Sequence, residues 1–335
     1  MRILITGGCG FIGSNFIRYM LKKYPDYKIT NLDKLTYAGN LENLKDVEKN
    51  KNYSFIKGDI CDKTLVEKLS KDSDIIINFA ANTHVDRSIL DADDFIKTNV
   101  VGAYTLLEAA KNNNIKLFIH ISTDECYGSI PKGYSKEADS LEPNSPYSAS
   151  KASADLLARS YYITHKLPVI ITRSSNNFGP YQYPEKVIPL FITNLIESKK
   201  VPLYGDGLNV RDWLYVLDNC SAIDVALHKG KPGEIYNIGG GALFNNKELT
   251  MKILSVLDKK DDSIEFVKDR AGHDRRYALD CEKLKGLGWA PEYTFEQALN
   301  KTVDWYKKNA EWWKRLKDKD FQKYYQKQYG VKSAK

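Results

Sequence analysis

Arg2-Ile3-Leu4-Ile5-Thr6-Gly7-Gly8-Cys9-Gly10-Phe11-Ile12-Gly13 is the stretch that decides the fold. Residues 2–6 are a short apolar run that reads as a buried strand. Glycines follow at 7, 10 and 13, and an apolar helical pattern then runs to about Lys23. Glycine permits a tight turn and close backbone approach to a pyrophosphate, while the free N–H groups of a helix start face the anion. Asp33 stands twenty residues beyond Gly13, at the end of a second strand expected over 29–32. A carboxylate there binds a ribose 2′-hydroxyl and repels a 2′-phosphate. The pattern points to a dinucleotide, and to NAD rather than NADP, with the adjacent Lys34 weighing the other way.

Further strands alternate with helices along the first half of the chain. Residues 53–57 read as a strand ending at Gly58-Asp59-Ile60, where Asp59 either meets an adenine edge or serves as a plain turn aspartate. Asp62 caps a helix through Leu69. A fourth strand over 74–79 is followed by Ala80 and Ala81, small enough for a bound cofactor to approach the backbone. Beyond it lie Thr83, His84, Asp86 and Arg87. His84 has no second His or Cys at ligand spacing, so it reads as a hydrogen-bonded structural residue. A helix is expected over 94–111. Such an alternation predicts a Rossmann-type, doubly wound parallel α/β sheet.

The chemistry concentrates after the next strand. Residues 117–121 form a buried apolar run followed by Ser122-Thr123-Asp124-Glu125. Ligands of open α/β sheets bind beyond the carboxyl ends of the strands. Two adjacent carboxylates beside a hydroxyl can act as acid and base if their surroundings separate their pKa values; they can also be the solvated acids of a turn. A polar loop over 132–146 leads to Tyr147-Ser148-Ala149-Ser150-Lys151, which opens a long helix. Tyr147 and Lys151 are four residues apart and share a helical face. A lysine ammonium beside a phenol favours the phenolate, and such a tyrosine works as a base near neutral pH.

A strand over 167–172 closes this pattern, and residues 173–183 then turn rich in Ser, Asn, Gly, Pro and Tyr. The expected organisation is a NAD-binding unit over 1–175, with 210–235 returning to it. A smaller C-terminal α/β substrate unit takes 176–209 and 236–330. The chain has 335 residues with 42% hydrophobic and 28% charged, ordinary for a globular protein. No apolar stretch reaches the roughly 18 residues of a membrane span, and the glycine-rich turn follows the first strand directly. These features lead to a cytoplasmic expectation. Five scattered cysteines without a C-x-x-C pair read as free thiols, with no metal site. Net charge is +7, yet residues 301–335 alone hold eleven Lys/Arg against four Asp/Glu. Interleaved with Trp305, Trp312, Trp313, Phe321, Tyr324 and Tyr325, they read as helices that pack rings inward and solvate lysines, not as a nucleic-acid surface.

The chain resembles the extended short-chain dehydrogenases/reductases, and within them the 4,6-dehydratases of dTDP-glucose, over about residues 1–315. TGGCGFIGS, NLDKLTYAGN, THVDRSI, STDECYG, PYSASKASAD, SSNNFGPYQYPEKVIPL, PLYGDGLNVRDWLYV and DRAGHDRRYALD carry the resemblance. It implies an NAD-dependent lyase that oxidises C4 of the sugar, eliminates water across C5 and C6, and returns hydride to C6. Tyr147, Lys151, Thr123, Asp124 and Glu125 would be catalytic. Gly7, Gly10, Phe11, Ile12, Gly13, Asp33, Lys34, Thr36, Asp59, Ile60, Ala80, Ala81 and Thr98 would line the NAD site together with Tyr147 and Lys151. Thr83, Thr123, Asn176, Asn177, Lys186, Val187, Arg211, Asn246, Arg270 and His273 would face the nucleotide sugar. The family further implies a homodimer through the helices at 94–111 and 147–162. Asn82 stands where a glutamate is common and Ala271 where a proline is common, and Gly241-Ala242-Leu243-Phe244 departs from the usual polar sequence. A UDP-sugar 4,6-dehydratase and a nucleotide-sugar epimerase are the alternatives on the same fold; a nucleotide-sensing protein without turnover is the alternative of another class.

Overall fold

The computed structural model describes residues 1–330; Lys332 and Lys335 of the basic tail lie outside them. Strands β1 (Arg2–Thr6), β2 (Lys28–Asp33), β3 (Tyr53–Lys57), β4 (Ile75–Asn78), β5 (Leu117–Thr123) and β6 (Val169–Ser174) share one sheet. Strands β7 (Asn176–Phe178), β8 (Val201–Tyr204) and β9 (Val210–Tyr215) follow, then β10 (Ile235–Ile238), β11 (Ala242–Asn245) and β12 (Ile264–Val267). The large sheet has the order β10-β6-β5-β4-β1-β2-β3 and every pair in it is parallel. Its strand order reverses between β1 and β4, the place where such sheets bind nucleotides.

The continuous apolar runs follow from burial on both faces. Ile3, Ile5, Ile77 and Ile119 pack with Phe16 and Ile17 on one face, whereas Leu4, Ile76, Phe118 and Ile171 pack with Leu106, Leu107 and Ala158 on the other. Each neighbour along a strand thus serves the opposite layer, the period of two that a strand imposes.

Two smaller sheets complete the chain: β11-β9-β7, and β12 paired with β8. Their membership differs from the expected division. β9 pairs with β7 and β11, away from the large sheet. The helix Val216–Lys229 packs on the helix Phe11–Lys23 and on β6, and β10 extends the large sheet beyond residue 235. β9 is as buried as the strands of the large sheet, so pattern alone could not assign it.

The helix expected over 94–111 is wound in three pieces, Asp93–Phe95, a π-helical Ile96–Gly102 and Ala103–Asn112. The wider turn turns Thr98 to the cleft described below and buries Asn99, whose amide donates to Ser150 Oγ at 2.8 Å and exchanges hydrogen bonds with the backbone of Asn82. Gly102 permits close packing there, since a Cβ would stand 2.4 Å from Ile60. At the C-terminus, Phe295–Lys308, Ala310–Leu316 and Lys319–Tyr329 are helices that bury Tyr306, Trp313 and Phe321.

Candidate active site

One cleft runs along the carboxyl ends of the large sheet. It measures about 1610 Å³ with its open mouth included. Its lining runs from the glycine turn past Tyr147 and Lys151 to Asn176 and Lys186. Every residue expected at the NAD site lines it, from Gly7, Gly10, Phe11, Ile12 and Gly13 through Asp33, Lys34, Thr36, Asp59, Ile60, Ala80, Ala81 and Thr98 to Tyr147 and Lys151. Gly7 has φ +71°, and a Cβ on it would meet Ala80 N at 2.5 Å. On Gly13 a Cβ would meet Gly7 O at 2.5 Å. The turn therefore tolerates no side chain at either position, and it delivers the helix start of Phe11–Lys23 to the cleft.

Asp33 is fixed by two backbone amides, Cys9 N at 2.9 Å and Leu35 N at 2.8 Å. Lys34, which weighs toward a 2′-phosphate, is paired instead with Asp59 at 2.8 Å. Asp59 also accepts from Cys61 N at 2.9 Å, so turn and ion-pair roles are both present in a residue that lines the cleft.

β5 ends at Thr123, whose hydroxyl accepts from Glu125 N at 3.3 Å and donates to Asp124 Oδ1 at 3.2 Å. A single 3₁₀ turn, Asp124–Tyr127, thereby points both acids into the cleft. Burial raises both carboxyls. Asp124 rises further, because the Glu125 charge opposes a second negative charge beside it. Around Glu125, the cationic Arg270, Arg211 and Lys186 offset its burial. Both carboxyls are thus raised, a like charge adding to burial at Asp124 and three cations opposing it at Glu125.

The helix Pro146–His165 starts on a capping box in which Ser145 and Ser148 satisfy each other's backbone amides. It presents Tyr147 and Lys151 one turn apart, both buried and both lining the cleft. Lys151 Nζ donates to Ile121 O at 2.6 Å and lies 3.3 Å from His120 Nε2. The expected lowering of the phenol by this lysine is reversed here. Burial, then the Glu125 charge, push Tyr147 well above its ordinary value.

Of the residues expected at the sugar nucleotide, Thr83, Thr123, Asn176, Asn177 and Lys186 line the cleft. Val187, Arg211, Asn246, Arg270 and His273 stand outside its lining. Arg211 sits over the Tyr277 ring at 4.3 Å and donates to the carbonyls of Val210 and Asp274 at 2.8 and 2.9 Å. Arg270 pairs with Asp86 at 2.8 Å, leaving its buried Nε without a hydrogen-bond partner. His273 pairs with Asp269 at 2.6 Å, and burial lowers it to about 4. Val187 and Asn246 each open a helix. Buried His84 lies 3.5 Å from Tyr324 Oη, in the structural role expected of it.

Sequence reading missed several lining residues: Ser122, Ser174, Ser175, Gln182, Tyr183 and Glu185. Glu185 is buried, accepting from Tyr37 Oη at 2.8 Å and Arg87 Nε at 3.0 Å. The polar run over 173–183 was the available signal, and it marks a cleft wall as well as a change of unit. Asp124 Oδ2, Ser175 Oγ, Asn176 Oδ1, Asn177 Oδ1 and Gln182 Oε1 are buried without a hydrogen-bond partner. Each such atom costs about 1–3 kcal/mol, and all five belong to lining residues. A polar ligand that donates to them suits this wall, as the glycine turn suits a pyrophosphate; the residues fit NAD.

The family model described as GDP-mannose 4,6 dehydratase matches residues 4–302. Low-salt glycan biosynthesis protein Agl12 of Haloferax volcanii is 55% identical over 306 residues, covering 91% of this chain and 98% of that protein. The dTDP-glucose 4,6-dehydratase of Streptomyces antibioticus is 50% identical over 323 residues, 95% of this chain and 96% of that one. A crystal structure of DesIV, a dTDP-glucose 4,6-dehydratase from Streptomyces venezuelae with NAD and TYD bound, is similar with a TM-score of 0.93. It is 49% identical and covers 94% of this chain and 100% of that one. Fold and cleft together define an extended short-chain dehydrogenase/reductase. Within that class the chain belongs to the GDP-mannose 4,6 dehydratase family.

Proposed function

We infer that the chain is an NAD-dependent dTDP-glucose 4,6-dehydratase, converting dTDP-glucose to dTDP-4-keto-6-deoxyglucose and water. Relatives of that activity cover nearly the whole chain. The observation that carries the reading is one cleft holding Asp124 and Glu125 beside Tyr147 and Lys151. Epimerisation at C4 needs one base and a redox cofactor; two carboxyls, one as acid and one as base, add what an elimination requires.

When bound, the nicotinamide would supply hydride acceptance at C4 as NAD⁺ and hydride donation at C6 as NADH. The rest is work for the chain. Tyr147 takes the proton of the 4-hydroxyl, and Lys151 stabilises the phenolate that does so. Thr123 hydrogen-bonds the 4-oxygen as it becomes a ketone, which acidifies C5–H. Glu125 removes that proton and, after exchange with solvent, later delivers one to C5. Asp124 gives its proton to the departing 6-hydroxyl, which leaves as water. Fixed geometry supplies much of the rate, because base and acid serve neighbouring carbons of one held substrate. Arg211 and Arg270 would take the diphosphate in their planar forks, Arg270 exchanging Asp86 for it. Asn176, Asn177, Lys186, Val187, Asn246 and His273 would complete the substrate wall.

The same proposal includes two structural units, a homodimer and a cytoplasmic location. Five free cysteines suit a reducing compartment, and among the described residues no helix is long and apolar enough to cross a membrane. Mass spectrometry of dTDP-glucose incubated with the protein tests the central reading. A product lighter by one water is expected; a product of unchanged mass, or none, overturns it.

A further inference from the structure

Strand β8 ends on Tyr204, a residue with no part in the chemistry above. Its hydroxyl donates to Asp86 Oδ2 at 2.9 Å and accepts from Gln328 Nε2 at 2.7 Å. Asp86, on the short helix Val85–Leu90, is 4% exposed. Its other oxygen, Oδ1, accepts from Arg270 Nη1 at 2.8 Å. A continuous chain of hydrogen bonds thus runs from the helix Lys319–Tyr329 to the arginine expected at the diphosphate. Donors and acceptors agree along it: amide to hydroxyl, hydroxyl to carboxylate, guanidinium to carboxylate. The Tyr204 ring also packs against Tyr329 and His273, with centres 5.6 and 6.0 Å away.

The same helix reaches the cleft wall one turn earlier, on the face that carries Gln328. There the Tyr324 ring lies 4.4 Å from the guanidinium of Arg87, whose Nε donates to Glu185 at 3.0 Å. Arg270 has an unfilled need: with Asp86 on Nη1, its buried Nε has no acceptor. A diphosphate carries more charge than one carboxylate and fits a guanidinium fork. When Arg270 turns to it, Asp86 loses its cation, and a buried charge left without a partner is strongly unfavourable. The Tyr204 hydroxyl is the partner that stays.

We propose that Tyr204, held by Gln328, is a positioning residue for Arg270: it keeps Asp86 hydrogen-bonded as a carboxylate and so lets the arginine pass from Asp86 to the diphosphate of the substrate. The inference deepens the reading of Arg270 as a diphosphate ligand and rests on it.

The test measures dTDP binding by isothermal titration calorimetry on the full chain with NAD bound. Tyr204→Phe keeps the ring and removes the hydroxyl; it is expected to bind dTDP about tenfold more weakly, the scale of one hydrogen bond to a charged group. Gln328→Ala should weaken binding by about threefold, the scale of a neutral hydrogen bond. Asp86→Asn removes the competing charge, so it should bind dTDP several-fold more tightly than the wild type. In that background Tyr204→Phe should have no further effect, because the two residues act as a unit. In turnover, the loss in Tyr204→Phe should fall on KM for dTDP-glucose and leave kcat at saturating substrate near wild type. A merely structural Tyr204 would instead lower kcat, and weaken dTDP binding equally with or without Asp86; either result contradicts the proposal. Unchanged affinity in Tyr204→Phe contradicts it whether or not Asp86→Asn folds, and so does weaker binding by a folded Asp86→Asn. Loss of water from dTDP-glucose with none of these shifts removes the relay and leaves the dehydratase reading standing. The expected dTDP shifts in a protein that never dehydrates dTDP-glucose remove that reading and keep the relay.

Discussion

Asp124 and Glu125 are neighbours in sequence, yet they meet different surroundings. Asp124 is almost fully buried, with one carboxyl oxygen unpartnered, while three cationic side chains hold Glu125 toward ionisation. Both carboxyls are raised, so the rate should fall on the acid side as Glu125 takes up a proton, at a pH above the ordinary range of a glutamate. It should fall on the alkaline side as Asp124, raised further, gives its proton up. A bell-shaped kcat–pH profile checks the order. Glu125→Gln should lower kcat by about 10²–10⁴, the usual contribution of a positioned acid or base, and slow C5–H exchange with solvent to the same degree. Exchange at the wild-type rate would remove Glu125 from the base's role. These residues were readable in the chain because Thr123-Asp124-Glu125 and Tyr147-x-x-x-Lys151 are local patterns at predictable places on a strand end and a helix face. The direction of the Tyr147 shift was not, since it depends on how deeply the fold buries the phenol and on a carboxylate across the cleft.

Strands and helices were legible wherever one period ruled them, as in β1, β2, β5 and the helix Pro146–His165. The π-helical segment Ile96–Gly102 was invisible, because its reason is tertiary: Asn99 must reach both Asn82 and Ser150. That β9 pairs with β7 and β11 was not legible for a similar reason, as a buried strand does not announce its neighbours. Arg211 and Arg270 were expected at the nucleotide sugar from the resemblance, and their pairing with carbonyls and with Asp86 could come only from the fold. The two packed helices Ala103–Asn112 and Pro146–His165 also carry apolar side chains facing outward, Tyr104 on the first, and Leu156, 57% exposed, and Ile163 on the second. Ile96 and Val101 extend that surface. Exposed apolar side chains on packed helices suit a self-complementary interface. Leu156→Glu should convert a dimer into monomers in analytical ultracentrifugation, and an unchanged sedimentation coefficient would place the dimer elsewhere or nowhere.

At the scale of the whole molecule, the C-terminal helices tie the parts together. Trp312 Nε1 donates to Asn43 Oδ1 at 2.9 Å, and Tyr183 Oη donates to Leu316 O at 3.3 Å, joining the tail to the first unit and to the cleft wall. Trp313 is wholly buried, its Nε1 donating to Tyr306 O at 2.9 Å. The charge of the tail was plain from the sequence, and its aromatic spacing predicted helices that pack; which surface they cover was not. Trp313→Ala should cost about 3–5 kcal/mol in urea unfolding, the usual loss for a buried large aromatic, and a cost below about 1 kcal/mol would show the tail to be an appendage. The reaction must hold its reducing equivalent between two carbons of one sugar, which favours a site shielded from water once its ligands are bound. Return to C6 rather than to C4 is what separates a 4,6-dehydratase from an epimerase on the same fold. dTDP-glucose carrying deuterium at C4 tests it most directly. Deuterium at C6 of a product lighter by water is the predicted result; deuterium retained at C4, or lost to solvent, would contradict it.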